Sequence, residues 1–223
     1  MNILIINTAF DCADYIVVKD YEVGKSYESL QYFSEKAESN ARHSETSLIF
    51  ADEALKRAGV EIEDINVVAV NLGPGSFTGI RIGVALAKGL LCANINMRAI
   101  VFDSFEPIFP RLCENCGANE CGCEVNGKVC IESGKNDFYV CEVRKGEEFE
   151  LKICAYSEEE LEKDKNCVVF DNDYKVEELI KCVINKINSN HFCNLADLEP
   201  VYLKLSQAEA ELKKKESENG CQD

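Results

Sequence analysis

Asn71-Leu-Gly-Pro-Gly-Ser-Phe-Thr-Gly-Ile-Arg-Ile-Gly83 decides how the rest of the chain is read, because it joins an apolar block to a helical pattern through a glycine-rich turn. Upstream, Ile65 to Leu72 holds Val67, Val68 and Val70. A short run of β-branched apolar residues predicts a strand of a parallel sheet, buried on both faces. Downstream, Gly79 to Ala93 carries apolar residues and alanines at helical spacing with no proline. Strand, glycine turn and helix follow one another in that order, as in an α/β domain.

Within the turn, Gly73 and Gly75 allow positive φ and close backbone approach, and Pro74 stiffens the link between them. Ser76 and Thr78, either side of Phe77, are candidate N-cap oxygens for the helix. Unpaired amides at a helix N-terminus make an anion site in many folds, so a phosphate loop is one reading. A tight connection inside an α/β domain is the other. The spacing G-x-G-x-x-x-G differs from the dinucleotide fingerprint, and no Lys-Ser or Lys-Thr follows Gly79 as a P-loop requires. The tight connection is therefore favoured. Along the helix Gly79, Gly83 and Ala87 form an i, i+4 stripe of small residues flanked by Leu86 and Leu90, which calls for close packing by a neighbouring element or by a partner protein.

The 223 residues, 46% hydrophobic, suffice for one large or two small domains with real cores. A net charge of −16 excludes a free-standing nucleic-acid binder, which needs a basic surface to neutralise phosphate. The apolar run at the start lacks a basic flank and is stopped by Asp11 and Asp14, so no secretory leader is expected. No stretch reaches the roughly 20 apolar residues of a membrane span. With no leader, the 13 cysteines read as reduced thiols of a cytoplasmic protein.

Strands are predicted at Ile3–Ile6, Tyr15–Val18 and Ser26–Phe33, and an amphipathic helix over Ser39–Ala58 with Gly59 at its C-cap. After the central strand and helix, Arg98–Phe102 closes this half as β-β-β-α-β-α-β. That order resembles the ribonuclease H-like half-domain of actin-like ATPases and sugar kinases. Pro107 and Pro110 then break the pattern, and a loop rich in cysteine and glycine is expected from Cys113 to Gly127. Val129–Ser133, Phe138–Val143 and Phe149–Ala155 predict a meander. A helix at Ser157–Lys163, a strand at Val168–Phe170 and a helix at Tyr174–Ile187 complete a smaller echo of the first half. Ala208 to Asp223 is a polar tail.

Candidate chemistry is sparse. Asn7, at the end of the first strand, has no charge to offer Mg²⁺, and Asp11 and Asp14 read as solvated turn residues. His43 and His191 make no His-x-x-x-His pair, and Ser76 lacks the flanking glycines of a nucleophile elbow. Cys113-x-x-Cys116 and Cys121-x-Cys123 place four thiols in one short segment, a candidate zinc site against the alternative of buried apolar cysteines.

These residues resemble the TsaB (YeaZ) family, a component of bacterial tRNA threonylcarbamoyladenosine synthesis. The resemblance is carried by Gly73-Pro-Gly-Ser-Phe-Thr-Gly-Ile-Arg-Ile-Gly83, by Arg42-His-Ser-Glu45, by Ile3 to Thr8, and by Glu199-Pro-Val-Tyr-Leu-Lys204, similar to the family's closing Pro-x-Tyr-Leu-Arg. It runs from Met1 to about Val101 and is thin between Glu106 and Glu199. The chain departs from the family at Asn7, where Asp is usual, and in the cysteine segment.

The resemblance implies an α/β, two-lobed actin-like fold of the ribonuclease H-like (ASKHA) type with a smaller, degenerate second lobe. The lobes are expected at 1–103 and 104–205, with a tail at 206–223. It further implies a catalytically silent subunit, needing no cofactor, that binds TsaD, the enzyme transferring threonylcarbamoyl to adenosine 37 of ANN-decoding tRNAs. The ATPase TsaE joins them, tRNA is met only through the complex, and the free chain is expected to form a homodimer. The interface carried over is Arg42, His43, Glu45 and Leu48 of the first helix with Gly79, Arg81, Gly83, Leu86, Ala87 and Leu90 of the second. The alternative is an actin-like phosphotransferase or a glycoprotease-group hydrolase whose glycine turn holds phosphate.

Overall fold

Ile3, Leu4, Ile5 and Ile6 have no exposed surface, which requires a strand at the centre of a sheet covered on both faces. The computed structural model describes residues 1–37, 43–116, 127–134, 137–143, 150–155 and 167–203, with backbone only for 43–45, 113–116, 134 and 150–155. Strand β1 (Asn2–Asn7) pairs antiparallel with β2 (Ala13–Lys19), and β2 with β3 (Gln31–Ala37). On its other side β1 pairs parallel with β4 (Ile65–Asn71), and β4 with β5 (Arg98–Phe102). The sheet order is β3-β2-β1-β4-β5.

Helix α1 (His43–Ala58) packs on β2 and β3, and α2 (Phe77–Ala93) on β4, β1 and α1. Ala51, Ala54, Leu55 and Ala58 are the buried stripe of α1, at the helical spacing expected of one covered face. Gly59 follows with φ +62°, the left-handed C-cap foreseen. The third strand is a correction: it spans 31–37 rather than 26–33, and Tyr27–Ser29 forms a single 3-10 turn. Edge strand β3 is mostly half-exposed, so its residues lack the apolar contrast that marks a strand.

A second sheet follows, built from β6 (Gly127–Gly134), β7 (Asp137–Val143), β8 (Glu150–Ala155) and β9 (Cys167–Phe170) in the order β8-β7-β6-β9. Its antiparallel meander with β9 added parallel to β6 repeats the way β4 is added to β1. Helix α3 (Phe109–Cys116) corrects the loop expected from Cys113, since Cys113 and Cys116 are helical. Pro110 sits in its first turn, where the missing N–H has no helical partner to lose. The helix expected at Ser157–Lys163, the start expected for α1 at Ser39 and the tail from Ala208 lie outside the described residues.

Helix α4 (Val176–Asn188) buries Leu179, Ile180, Val183, Ile184 and Ile187 and packs on β5 and β1. The chain then returns to the first sheet. The Cys193 amide donates to the Ala99 carbonyl at 3.0 Å, and the Val201 amide to the Leu72 carbonyl at 2.8 Å. Phe10, Phe170 and Tyr174 form an aromatic trio with centroids 4.5 to 5.5 Å apart, joining the β1–β2 turn to the end of β9. One apolar cluster thus runs from Ile3 through Val129 and Ile131 to Leu179.

Candidate functional site

The glycine turn closes onto the end of β1. The Ser76 amide donates to the Ala9 carbonyl at 2.7 Å, and the Gly79 amide donates to Ser76 Oγ at 3.2 Å, so Ser76 is the N-cap of α2. Gly73 has φ +101°, a left-handed conformation that favours glycine, and its amide donates to Asn71 Oδ1 at 2.8 Å. A Cβ on Gly75 would lie 2.2 Å from the Ala9 carbonyl oxygen, one on Gly79 2.0 Å from that of Thr8, and one on Gly83 2.3 Å from Thr8 Oγ1. The glycines let the backbone of residues 8–9 nest against α2. Two amides that an anion would need, those of Ser76 and Gly79, are occupied by the protein's own oxygens.

This corrects the interface assigned to Gly79, Gly83 and Ala87. All three are buried, and the first two pack on Thr8 of their own sheet. Of the two packing partners foreseen for the stripe, the neighbouring strand occupies it. A helix presents only one face to a given neighbour, so these residues are unavailable to a second protein.

Behind the turn a buried polar chain crosses three strands. Asn7 Nδ2 donates to Asp14 Oδ2 at 2.9 Å, and Asn71 Nδ2 donates to Asn7 Oδ1 at 2.9 Å. Ser104 Oγ reaches Asn71 Oδ1 at 3.2 Å, and the Tyr174 hydroxyl donates to the Ser104 carbonyl at 2.6 Å. Asn7, Asn71 and Ser104 are fully buried, and Asp14 nearly so. Asp14 is thus not a solvated turn residue but a member of β2. Burial pushes its carboxyl up to about 6, opposed by the Asn7 amide and the Lys36 charge. An uncharged amide at position 7 serves this chain in both directions at once, donating and accepting.

Between the two sheets lies a cleft of about 340 Å³ lined by Phe10, Asp11, Gly75 and Ser76 on one side and by Glu132, Ser133, Tyr139 and Asn172 on the other. Its charged lining residues, Asp11 and Glu132, are acidic. Carboxylates in a partly enclosed cleft repel a polyphosphate, and no lysine or arginine lines it among the described residues.

A second concavity is apolar. Ser47 and Leu48 of α1 and Ile82, Ala85, Leu86, Gly89 and Leu90 of α2 line a groove of about 470 Å³. Leu48 is 68% and Ile49 52% exposed. Ser47 Oγ meets the Tyr15 hydroxyl at 2.6 Å, which pins α1 to the sheet and aims its next residues outward. A Cβ on Gly89 would meet nothing within 4 Å. Glycine inside a helix costs about 0.5–1 kcal/mol relative to alanine, and no contact within the fold demands it here.

Of the residues assigned from the sequence, Leu48, Leu86 and Leu90 come together at this groove. Arg81 is exposed away from it, stacked 3.8 Å from the Phe77 ring centroid and donating from Nε to the Tyr202 hydroxyl at 2.7 Å. Arg42 lies outside the described residues, as do the side chains of His43 and Glu45, which open α1. Sequence reasoning missed Ile82, Ala85 and Gly89. Their signal was a second stripe at i, i+3, i+7 on α2, beside the small-residue stripe. Of the zinc candidates, Cys121 and Cys123 lie outside the described residues, and Cys113 and Cys116 are described in backbone alone.

A model of the family described as "TsaD: tRNA N6-adenosine threonylcarbamoyltransferase" matches residues 35–100. The tRNA threonylcarbamoyladenosine biosynthesis protein TsaB of Escherichia coli is 33% identical over 90 residues, 40% of this chain and 35% of that protein. The tRNA N6-adenosine threonylcarbamoyltransferase of Kosmotoga olearia is 37% identical over 97 residues, 40% of this chain and 29% of that protein. The matched stretch therefore spans about a third of the length of these relatives. Among solved structures, YeaZ from Pseudomonas aeruginosa superposes with a TM-score of 0.64 at 15% identity, covering 91% of this chain and 99% of that one. The fold is thus the two-lobed α/β, actin-like fold of YeaZ. No helix among the described residues is long and apolar enough to cross a membrane.

Proposed function

Taking as premise the TsaB (YeaZ) family assignment that these matches support, we infer that the chain is a non-catalytic subunit of tRNA threonylcarbamoyladenosine synthesis. It binds TsaD through the α1–α2 face and supports threonylcarbamoyl transfer to adenosine 37 of ANN-decoding tRNAs. The observation that carries this reading is the open apolar groove between Leu48 and Leu90, within the residues 35–100 that the family model matches. Leucines and isoleucine around an unfilled concavity lose their contact with water when a partner helix covers them, and such patches on soluble proteins mark protein interfaces.

The non-catalytic half of the reading rests on the glycine turn and Asn7. The turn packs against Thr8 and Ala9, Asn7 is tied to Asp14 and Asn71, and the cleft beside them is acidic. The subunit needs no cofactor for a docking role. Its net charge of −16 leaves tRNA to be held by other members of the complex, TsaD and the ATPase TsaE. Zinc at Cys113, Cys116, Cys121 and Cys123 is a separate proposal, read by elemental mass spectrometry on protein purified without chelators. At least half an equivalent supports it, and less sinks it.

The test of function is reconstitution. TsaD, TsaE, threonylcarbamoyl-adenylate and substrate tRNA yield modified tRNA when this chain is present and little when it is omitted. Equal product without it refutes the role.

A further inference from the structure

On the face of the second sheet turned away from the main core, two cysteines meet. Strands β6 and β9 run parallel with Lys128 opposite Cys167 and Cys130 opposite Val169. Cys130 and Cys167 therefore sit two residues out of register on adjacent strands and share a face, since side chains of one face recur at every second residue. Val129, Ile131, Val168 and Phe170 point from the other face into the main core. Cys130 belongs instead to a small cluster with Phe138 and Val140, against which Cys167 packs. The two sulfurs are 3.4 Å apart. Cys130 is buried and Cys167 half-exposed.

We propose that Cys130 and Cys167 form a reversible dithiol–disulfide pair, oxidised by a small-molecule disulfide such as glutathione disulfide. The half-exposed Cys167 thiolate attacks one sulfur of the small disulfide, a mixed disulfide forms, and one small thiol leaves. Cys130 then attacks Cys167 Sγ, its thiol proton passing to the small thiolate that is displaced, which leaves as the second small thiol. Two protein thiols lose two protons and two electrons in all, and one small disulfide becomes two thiols. The two-residue offset sets the α-carbons about 7–8 Å apart, at the outer limit for a disulfide, so closing the sulfurs from 3.4 Å to a bond of about 2.05 Å requires edge strand β9 to slide a short way along β6, which strains the bond and keeps it reducible.

Selectivity follows from placement. Cys141, on neighbouring β7, points into the main core, and burial with the nearby Asp103 and Glu106 charges pushes its thiol up to about 12. A thiol held protonated is a poor nucleophile. The new bond links residues 37 apart in sequence. It fastens edge strand β9, which sends Phe170 into the aromatic trio and leads to Asn172 at the cleft, onto β6. Where thiols are otherwise kept reduced, such a bond acts as a sensor rather than a permanent brace.

The full chain, purified reduced, is incubated with glutathione disulfide, alkylated in denaturant, digested without reductant and examined by mass spectrometry. The expected result is a linked Cys130–Cys167 peptide and a Tm raised by roughly 5 °C or more, both reversed by dithiothreitol. Cys167→Ser removes the linked peptide and the Tm shift while leaving the reduced protein's Tm close to wild type. Alkylated Cys130 beside glutathionylated Cys167 overturns the proposal, as does a Tm shift that persists in Cys167→Ser. The linked peptide is read on the unaltered chain, so its presence or absence decides the matter even if the variant folds poorly.

Discussion

Thr8 and Gly79 hold the glycine turn to the first strand from both directions. Thr8 Oγ1 donates to the Gly79 carbonyl at 2.7 Å, while a Cβ on Gly79 would stand 2.0 Å from the Thr8 carbonyl oxygen. The turn that looks like a phosphate loop in sequence is a joint between β1 and α2.

Substitution at the joint separates backbone from side-chain crowding. Gly79→Ala meets a carbonyl oxygen and is expected to cost at least about 2 kcal/mol, with Thr8→Ala giving no relief. Gly83→Ala meets Thr8 Oγ1, 2.3 Å from the new Cβ, so its cost falls in the Thr8→Ala background. Thr8→Ala alone loses the hydrogen bond to Gly79, about 1 kcal/mol. Urea unfolding of the three single variants and the two doubles measures each value, and equal cost of Gly83→Ala in both backgrounds would contradict the packing described.

Asp14 makes stability depend on acidity. Its carboxyl is raised from 3.8 to about 6 in the folded chain, so the folded state holds a proton that the unfolded chain releases between those values. The stability linked to that proton is complete below about pH 4 and is lost as pH rises through about 6, amounting to about 2–3 kcal/mol. Asp14→Asn keeps an amide oxygen to accept from Asn7 and removes the titration. The difference in unfolding free energy between variant and wild type should therefore grow in the variant's favour from pH 4 to pH 7. A difference that stays constant would mean that Asp14 is ionised in the folded protein throughout.

Gly89 offers the opposite of Gly79. With nothing within 4 Å of its added Cβ, Gly89→Ala is expected to stabilise the chain by about 0.5–1 kcal/mol through helix propensity alone. Thermal unfolding reads the gain, and a loss would mean that the groove floor is filled in solution.

The sequence was most legible where burial is complete. Ile3–Ile6, Val67–Val70 and Ile100 stand out as apolar blocks because both faces of their strands are covered, and Gly59 marks the end of α1 because only a left-handed residue fits there. Gln31–Ala37 was misplaced because an edge strand mixes exposed and half-buried residues. Phe109–Cys116 was missed because Pro107 and Pro110 look like breakers, although proline in a first turn costs a helix nothing. At the candidate site, the small-residue stripe of α2 was seen, but which side it faced was not. Spacing shows that Gly79, Gly83 and Ala87 share a face, and only the position of Thr8 shows that the face is inward. The outward stripe of Ile82, Ala85 and Gly89 was hidden by the apolar character of the whole helix.

The docking claim is tested most directly by titrating TsaD against the wild-type chain and against Leu48→Asp, a substitution at a position 68% exposed that leaves the core untouched. The wild type is expected to bind, and Leu48→Asp to bind at least about tenfold more weakly at unchanged Tm, because a buried unpaired carboxylate at an interface costs more than about 1.4 kcal/mol. Equal affinity for TsaD in the two proteins, or no binding by the wild type, would contradict that claim.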